Sequence, residues 1–287
     1  MTQPEDGSGQ SRRAQLFLGL TFPVTWGAWW LLAALSSGGA VTATQPLGFA
    51  LLVLGGTAPT MMAYLAVWKT PEAGTLREFN RRVFRLRVSP GLLAVAVLGA
   101  AGLGVVSLGL GGLITGAGWP GEPGRVVMLF LGAFVVSIFL GGIEEVGWRG
   151  VLQPAVTDRW NLVAANLVIA VVWAVWHLPL FWVVGEPHQD ASFALFLVAG
   201  VGYSAVMTWL YVRTRSVALC VLFHAGINAS AAAGLAFGVD ESPGFAVQAA
   251  VVVTVGMGLL AAAQRRRRDR LDHPGTSAAP ADTDARA

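Results

Sequence analysis

The chain has 287 residues, of which 55% are hydrophobic and 12% charged, at a mean hydropathy of +0.62; a soluble globular domain carries about 25% charged residues, which excludes water as the solvent for most of this surface. Cys220 is the only cysteine, so an intrachain disulfide and a structural zinc site built on thiolates are excluded. The net charge of +3 comes from basic residues scattered between hydrophobic blocks, with no stripe and no aromatic platform, which argues for topology signals and for no nucleic acid as a partner.

Residues 1–14 are polar and lack the short apolar core and small-residue cleavage site of a signal peptide, so they read as a cytoplasmic N-terminal tail. Eight apolar blocks follow, each close to the roughly 20 residues that a helix needs to cross a bilayer. They run from Gln15 to Ser36, Leu47 to Trp68, Gly91 to Thr115, Val126 to about Val156, Leu162 to Val184, Ala191 to Val212, Val217 to Phe237, and Phe245 to Ala263. A membrane barrel would need segments of about 10 residues with strict alternation, and these blocks are apolar throughout. The predicted fold is all-α, a polytopic transmembrane helical bundle of about eight spans, with a transmembrane domain over 15–263. Residues 264–287 form a basic cytoplasmic tail that reads as disordered from His273 onward.

The loop between Lys69 and Pro90 spaces Arg77, Glu78, Arg81, Arg82 and Arg85 as an amphipathic helix would. Its Leu76, Phe79, Val83 and Phe84 are predicted to face the inner leaflet. Cytoplasmic loops accumulate Lys and Arg. With both termini inside, the inner segments hold Arg12, Arg13, Lys69 through Arg87, Arg149, Arg159, Arg213, Arg215 and the Arg265 to Arg268 run, whereas the outer ones hold only Arg125. The predicted place of the protein is the cell membrane, multi-pass, with both termini cytoplasmic. The fourth helix is predicted to continue past Arg149 to near Thr157, so that its hairpin to the fifth stands out of the bilayer.

An ionisable residue within a span costs about 2.5 to 3.5 kcal/mol on the insertion scale, so the few that occur there need a reason. Glu144, Glu145 and Arg149 fall in the fourth block, His177 in the fifth, His224 and Asn228 in the seventh. Glu145 and Arg149 are four apart and share a helix face, while Glu144 is turned by about 100° and is left over as a candidate general base. His224 and Asn228, also four apart, can point at one atom, as the donors of an oxyanion hole must. Helix lengths measured from the turn near Asp158 put Glu144 and His177 at comparable depths on antiparallel neighbours. His188 lies in the outer loop after Gly185 and Pro187 and is predicted to be solvated.

The ordered set resembles the CPBP intramembrane proteases, which include the type II CAAX prenyl proteases. The motif E-E-x-x-x-R matches Glu144, Glu145 and Arg149; F-x-x-x-H matches Trp173 to His177, with tryptophan for phenylalanine; H-x-x-x-N matches His224 and Asn228. The resemblance marks 126–237 as the catalytic core. It implies an endopeptidase in which Glu144, helped by His177, activates water, while His224 and Asn228 stabilise the oxyanion and Glu145, Arg149 and Trp173 support the site. On that reading no cofactor or metal is needed, and the expected partners are membrane lipid and a membrane-associated protein or peptide substrate. Two other readings stay open: a zinc-dependent membrane metalloprotease with His177, His224 and Glu145 or Glu144 as ligands, and a non-catalytic scaffold or bacteriocin-immunity-type membrane protein. A transporter would place acidic residues on several spans, and here they converge on one.

Overall fold

A computed structural model describes residues 7–272 apart from 117 and 240–242. Its described part is a bundle of α-helices, seven of them long and apolar enough to cross a membrane. In chain order these are α1 (Gly7–Ser37), α2 (Pro46–Lys69), α4 (Pro90–Thr115), the broken run that starts with α5 (Pro123–Leu140), α8 (Leu162–Trp176), α9 (Phe193–Thr214) and α11 (Gly244–Asp272), with the short α3 (Leu76–Val83) between α2 and α4. The broken run continues through a 3-10 turn at Gly142–Glu144, α6 (Glu145–Gly147), a π turn at Trp148–Leu152 and α7 (Gln153–Arg159). It therefore passes Arg149 and reaches beyond Thr157, as expected from the sequence. The seventh apolar block forms a shorter helix, α10 (Val217–Ala232).

The helix ends follow local chemistry. Proline opens α2, α4 and α5, where its missing N–H costs nothing and its fixed φ suits the first turn. Side chains of Asn161, Ser192 and Ser216 accept backbone N–H bonds at the starts of α8, α9 and α10. α10 stops short because Gly234 turns the chain at φ 72°, against Pro120. The first and last helices overrun their expected limits: α1 starts at Gly7, inside the expected tail, and α11 runs to Asp272. The disorder expected from His273 onward falls outside the described residues.

α3 corrects one expectation. Thr75 and Glu78 form a reciprocal capping box, and the Thr75 backbone N–H holds the Glu78 carboxyl below the usual carboxylate range. Phe79 and Val83, however, are buried in protein instead of facing lipid. Phe79 packs edge-on against Tyr64 at 5.3 Å, and a Cβ at Gly150 would lie 2.9 Å from its ring. Gly150 thus leaves a recess that a phenylalanine fills better than lipid would. Leu76 and Phe84 remain exposed.

Hydrogen bonds tie the arginine-rich ends of the helices together at one end of the bundle. Arg13 donates to the Thr70 and Gly74 carbonyls at 2.6 and 2.8 Å, Ser216 to the Arg85 carbonyl, and Arg267 to the Thr157 carbonyl at 3.4 Å. Gln264 accepts from the Leu162 N–H at 2.8 Å. At the other end the Val184 N–H donates to Ser36 at 3.1 Å, and Trp30 lies against Trp182.

Candidate active site

Helical regularity fails where the charges sit. Gly141 breaks α5 with φ −163° and ψ −58°, and α10 presses directly onto the break. A Cβ at Gly141 would lie 2.3 Å from Asn228 Nδ2, and one at Gly142 would lie 2.6 Å from the Val221 carbonyl oxygen. Only glycine allows backbone and amide to approach this closely.

That approach brings both glutamates to one imidazole. His224 Nδ1 lies 2.8 Å from Glu145 Oε1 and 3.3 Å from Glu144 Oε1. The expectation that Glu144 points elsewhere is thereby corrected: it assumed one regular helix, whereas the 3-10 to α junction under α10 lets the two side chains converge. The expected Glu145 and Arg149 pair forms, at 3.5 Å, across the π turn. π turns of this kind recur at functional sites. Arg149 also donates to Ser204 Oγ at 3.1 Å, a partner that no motif marks. Glu144, Glu145, Arg149 and His224 are all buried. Two carboxylates beside one guanidinium leave one negative charge, which an imidazolium or a bound cation at this point would balance.

Trp173 reaches in from α8. Its indole N–H donates to Glu144 Oε1 at 2.7 Å, a bond that phenylalanine could not make. One turn on, His177 Nδ1 lies 2.9 Å from the Trp173 carbonyl oxygen; a carbonyl only accepts, so Nδ1 carries a proton and a neutral ring keeps Nε2 as an acceptor. The ring sits in an aromatic collar, 4.2 Å from Trp173 and 4.5 Å from Trp176 between ring centres.

All seven residues singled out from the sequence, Glu144, Glu145, Arg149, Trp173, His177, His224 and Asn228, line one cavity of about 380 Å³. His188 lines it too, which corrects its placement in solvent. The loop folds back so that its ring lies 5.9 Å from His177, nearly parallel, and 5.3 Å from Phe196, with Glu186 at 3.8 Å. Sequence spacing carries no signal for a loop residue that turns inward. Tyr203 and Gln248, hydrogen-bonded to each other at 2.9 Å, are further lining residues that no motif marks.

Glu144, Glu145 and His224 offer ligand atoms that all lie within 4.8 Å of one another, the one such group among the described residues that could hold a metal ion. His177 is not part of it. The donor chemistry, two carboxylate oxygens and an imidazole nitrogen, suits zinc, although the Trp173 N–H and the Arg149 guanidinium already engage the two carboxylates.

Residues 126–230 match the family model described as "Type II CAAX prenyl endopeptidase Rce1-like". A curated protein of Methanococcus maripaludis named CAAX prenyl protease 2 is 24% identical over 239 residues, which cover 75% of this chain and 82% of that protein.

Proposed function

We propose that this chain, whose residues 126–230 match the model of the Rce1-like type II CAAX prenyl endopeptidases, is a multi-pass membrane protease that cleaves peptide bonds with a water activated by Glu144. The observation that carries this reading is the fixing of one buried carboxylate oxygen, Glu144 Oε1, between the Trp173 N–H at 2.7 Å and His224 Nδ1 at 3.3 Å, on the wall of a cavity large enough for a peptide segment. Glu144 takes a proton from water as the water oxygen attacks the scissile carbonyl carbon, then returns it to the leaving amine. His177, through its Nε2, assists the water. His224 as the imidazolium, its Nδ1–H given to Glu145, donates Nε2–H to the developing oxyanion together with the Asn228 amide. Arg149 neutralises Glu145 so that this hydrogen bond survives burial.

The substrate we propose is a membrane-associated protein or peptide. The asymmetry of arginines between the two ends supports eight crossings, the shorter α10 added to the seven long helices, and both termini in the cytoplasm. Glu144→Gln tests the chemistry: the amide keeps the shape but cannot take the proton. Cleavage of a peptide library by the purified protein should vanish while the yield of folded protein holds. Full turnover by Glu144→Gln would overturn the proposal.

The grouping of Glu144, Glu145 and His224 favours a second reading, in which these residues would hold zinc, which would supply Lewis-acid polarisation of the scissile carbonyl. Under the first reading activity survives chelators. Loss of activity on chelation, restored by zinc, selects the second.

A further inference from the structure

We infer that Tyr203 is a substrate-binding residue of this cavity, its phenol donating a hydrogen bond to a main-chain carbonyl of the bound polypeptide beside the scissile bond. The inference rests on the reading of the cavity as a protease site and adds a recognition group to it.

The direction of each proton follows from the bonding partners. The Phe237 backbone N–H donates to Gln248 Oε1 at 2.8 Å. A backbone N–H can only donate, so this atom is the carbonyl end of the amide and Nε2 is the other. Nε2 lies 2.9 Å from Tyr203 Oη. An amide nitrogen only donates, so the tyrosine oxygen accepts this bond and its own proton points elsewhere. The second Nε2 proton is directed at the Phe237 carbonyl, at 3.4 Å. No acceptor for the Tyr203 proton lies among the described residues. A buried donor left unbonded costs free energy, and Tyr203 is buried on the cavity wall. Its proton therefore serves what the cavity receives.

The hydroxyl is also held in place. α9 and α11 meet with their backbones nearly touching: a Cβ at Gly202 would lie 2.5 Å from the Val252 carbonyl carbon, and one at Gly256 would lie 2.3 Å from the Gly202 carbonyl oxygen. Gln248 lies one turn before Val252 on α11, so the close contact fixes it opposite Tyr203. A donor aimed in advance loses little on binding.

Its neighbours on α9 put Tyr203 beside the two glutamates. One turn earlier, Gly200 faces Trp173, whose ring lies 3.2 Å from where a Cβ would be, and Trp173 holds Glu144. The next residue, Ser204, accepts from Arg149, which pairs with Glu145. A helical turn rises about 5.4 Å and an extended polypeptide advances about 3.3 to 3.6 Å per residue, so a carbonyl next to the scissile bond comes within reach of the phenol. Phe237, whose backbone Gln248 holds, and Phe245, one turn before Gln248, also line the cavity and offer no side-chain donor. A peptide carbonyl carried against them loses its water, and a donor must replace it. His224 and Asn228 serve the oxygen of the scissile carbonyl itself, which leaves the flanking one to Tyr203.

Tyr203→Phe removes one oxygen and leaves Gln248 bonded to the N–H and the carbonyl of Phe237, so the variant should fold. The probe is the peptide that the purified protein cleaves fastest from a library, acetylated and amidated at its ends. In two analogues the amide on one or the other side of the scissile bond is an E-alkene, which keeps the shape and lacks the carbonyl. Tyr203→Phe should raise KM for the parent peptide about tenfold at unchanged kcat, as loss of a bond made equally in ground and transition states does. One alkene analogue should show a similar rise with the unmodified protein and no further rise with Tyr203→Phe, because the two changes delete the same bond. Indifference of the unmodified protein to both alkenes overturns the assignment without any variant. So does an unchanged KM in Tyr203→Phe, or losses that multiply for both analogues, since the hydroxyl then holds a water only. A fall in kcat at constant KM also overturns it and places the phenol on the oxyanion. Absence of all cleavage by the unmodified protein removes the protease reading beneath, whereas cleavage insensitive to Tyr203 removes this assignment alone.

Discussion

α4 and the stretch from Gly141 to Gln153 are both glycine-rich and both fall within apolar blocks, yet they behave as opposites. α4 runs unbroken from Pro90 to Thr115. It turns Val106, Leu110, Leu113 and Ile114 outward and a row of small residues, Ala96, Ala100, Gly104, Ser107 and Gly111, inward, as membrane helices do where backbones approach closely. The other stretch changes helical type three times and is buried on every side from Glu144 onward. Its glycines serve close approach too, but to an amide, a carbonyl and aromatic rings. The difference teaches that in this molecule chemistry is stored where the helix is irregular, since only there can adjacent residues such as Glu144 and Glu145 address a single nitrogen.

The sharpest way to break that contrast is to remove the cation from the irregular stretch. Arg149→Ala leaves Glu145, fully buried, without its partner, and losing one member of a buried pair costs about 3 to 5 kcal/mol. Most of the protein should fail to reach the folded state, seen as loss of the monodisperse peak and a lowered Tm. An unchanged Tm would mean that the imidazole of His224 alone suffices to hold Glu145. Asn228→Ala should come next: the helix tolerates alanine, while loss of an oxyanion donor costs about 10² to 10³ in kcat with little change in KM. Equal losses in kcat and in substrate binding would place Asn228 in ground-state recognition instead.

The same contrast explains what could be read from the sequence. The limits of α4 were legible to within one residue, Gly91 to Thr115 against Pro90 to Thr115, because lipid on one side and proline at the start leave a clear pattern. Six of the seven candidate site residues were legible because an ionisable side chain inside an apolar block, with the Asn228 amide one turn from His224, needs a reason; Trp173 came only from the family resemblance, and all seven line one cavity. What could not be read is what depends on irregular backbone. The break at Gly141 looks like any other glycine of the chain. The convergence of both glutamates on His224 follows from the junction and from α10 lying over it. His188 enters the cavity through a loop, and Ser204 meets Arg149 across helices; neither has a period to betray it. The inward turn of Phe79 needed knowledge of the recess at Gly150.

A smaller effect should separate shape from hydrogen bonding in the cavity wall. Trp173→Phe preserves an aromatic ring near Phe196, now stacked at 5.1 Å, but removes the N–H that holds Glu144 Oε1 at 2.7 Å. A hydrogen bond to a charged group contributes about 1.5 to 3 kcal/mol; with His224 still in place, part of that should be lost, giving roughly a tenfold fall in kcat, or about 1.4 kcal/mol, at nearly constant KM. A full kcat in Trp173→Phe would show that His224 alone positions the base.

The smallest effect belongs to the regular region and has the opposite sign. Gly102 lies on the exposed face of α4, and a Cβ added there meets nothing within 4 Å. Alanine would narrow the unfolded backbone's freedom without strain, so Gly102→Ala should raise stability by about 0.5 to 1 kcal/mol, with activity unchanged. At Gly147 the same methyl would sit 2.6 Å from the Phe17 ring and 2.8 Å from the Pro59 carbonyl oxygen, contacts that helix preference cannot offset. Thermal unfolding of the two variants side by side reads this directly. If Gly102→Ala lowers Tm as Gly147→Ala should, then α4 is under constraints of its own, such as a neighbouring copy packed on its lipid-facing side, and the contrast between an inert helix and a constrained one no longer holds.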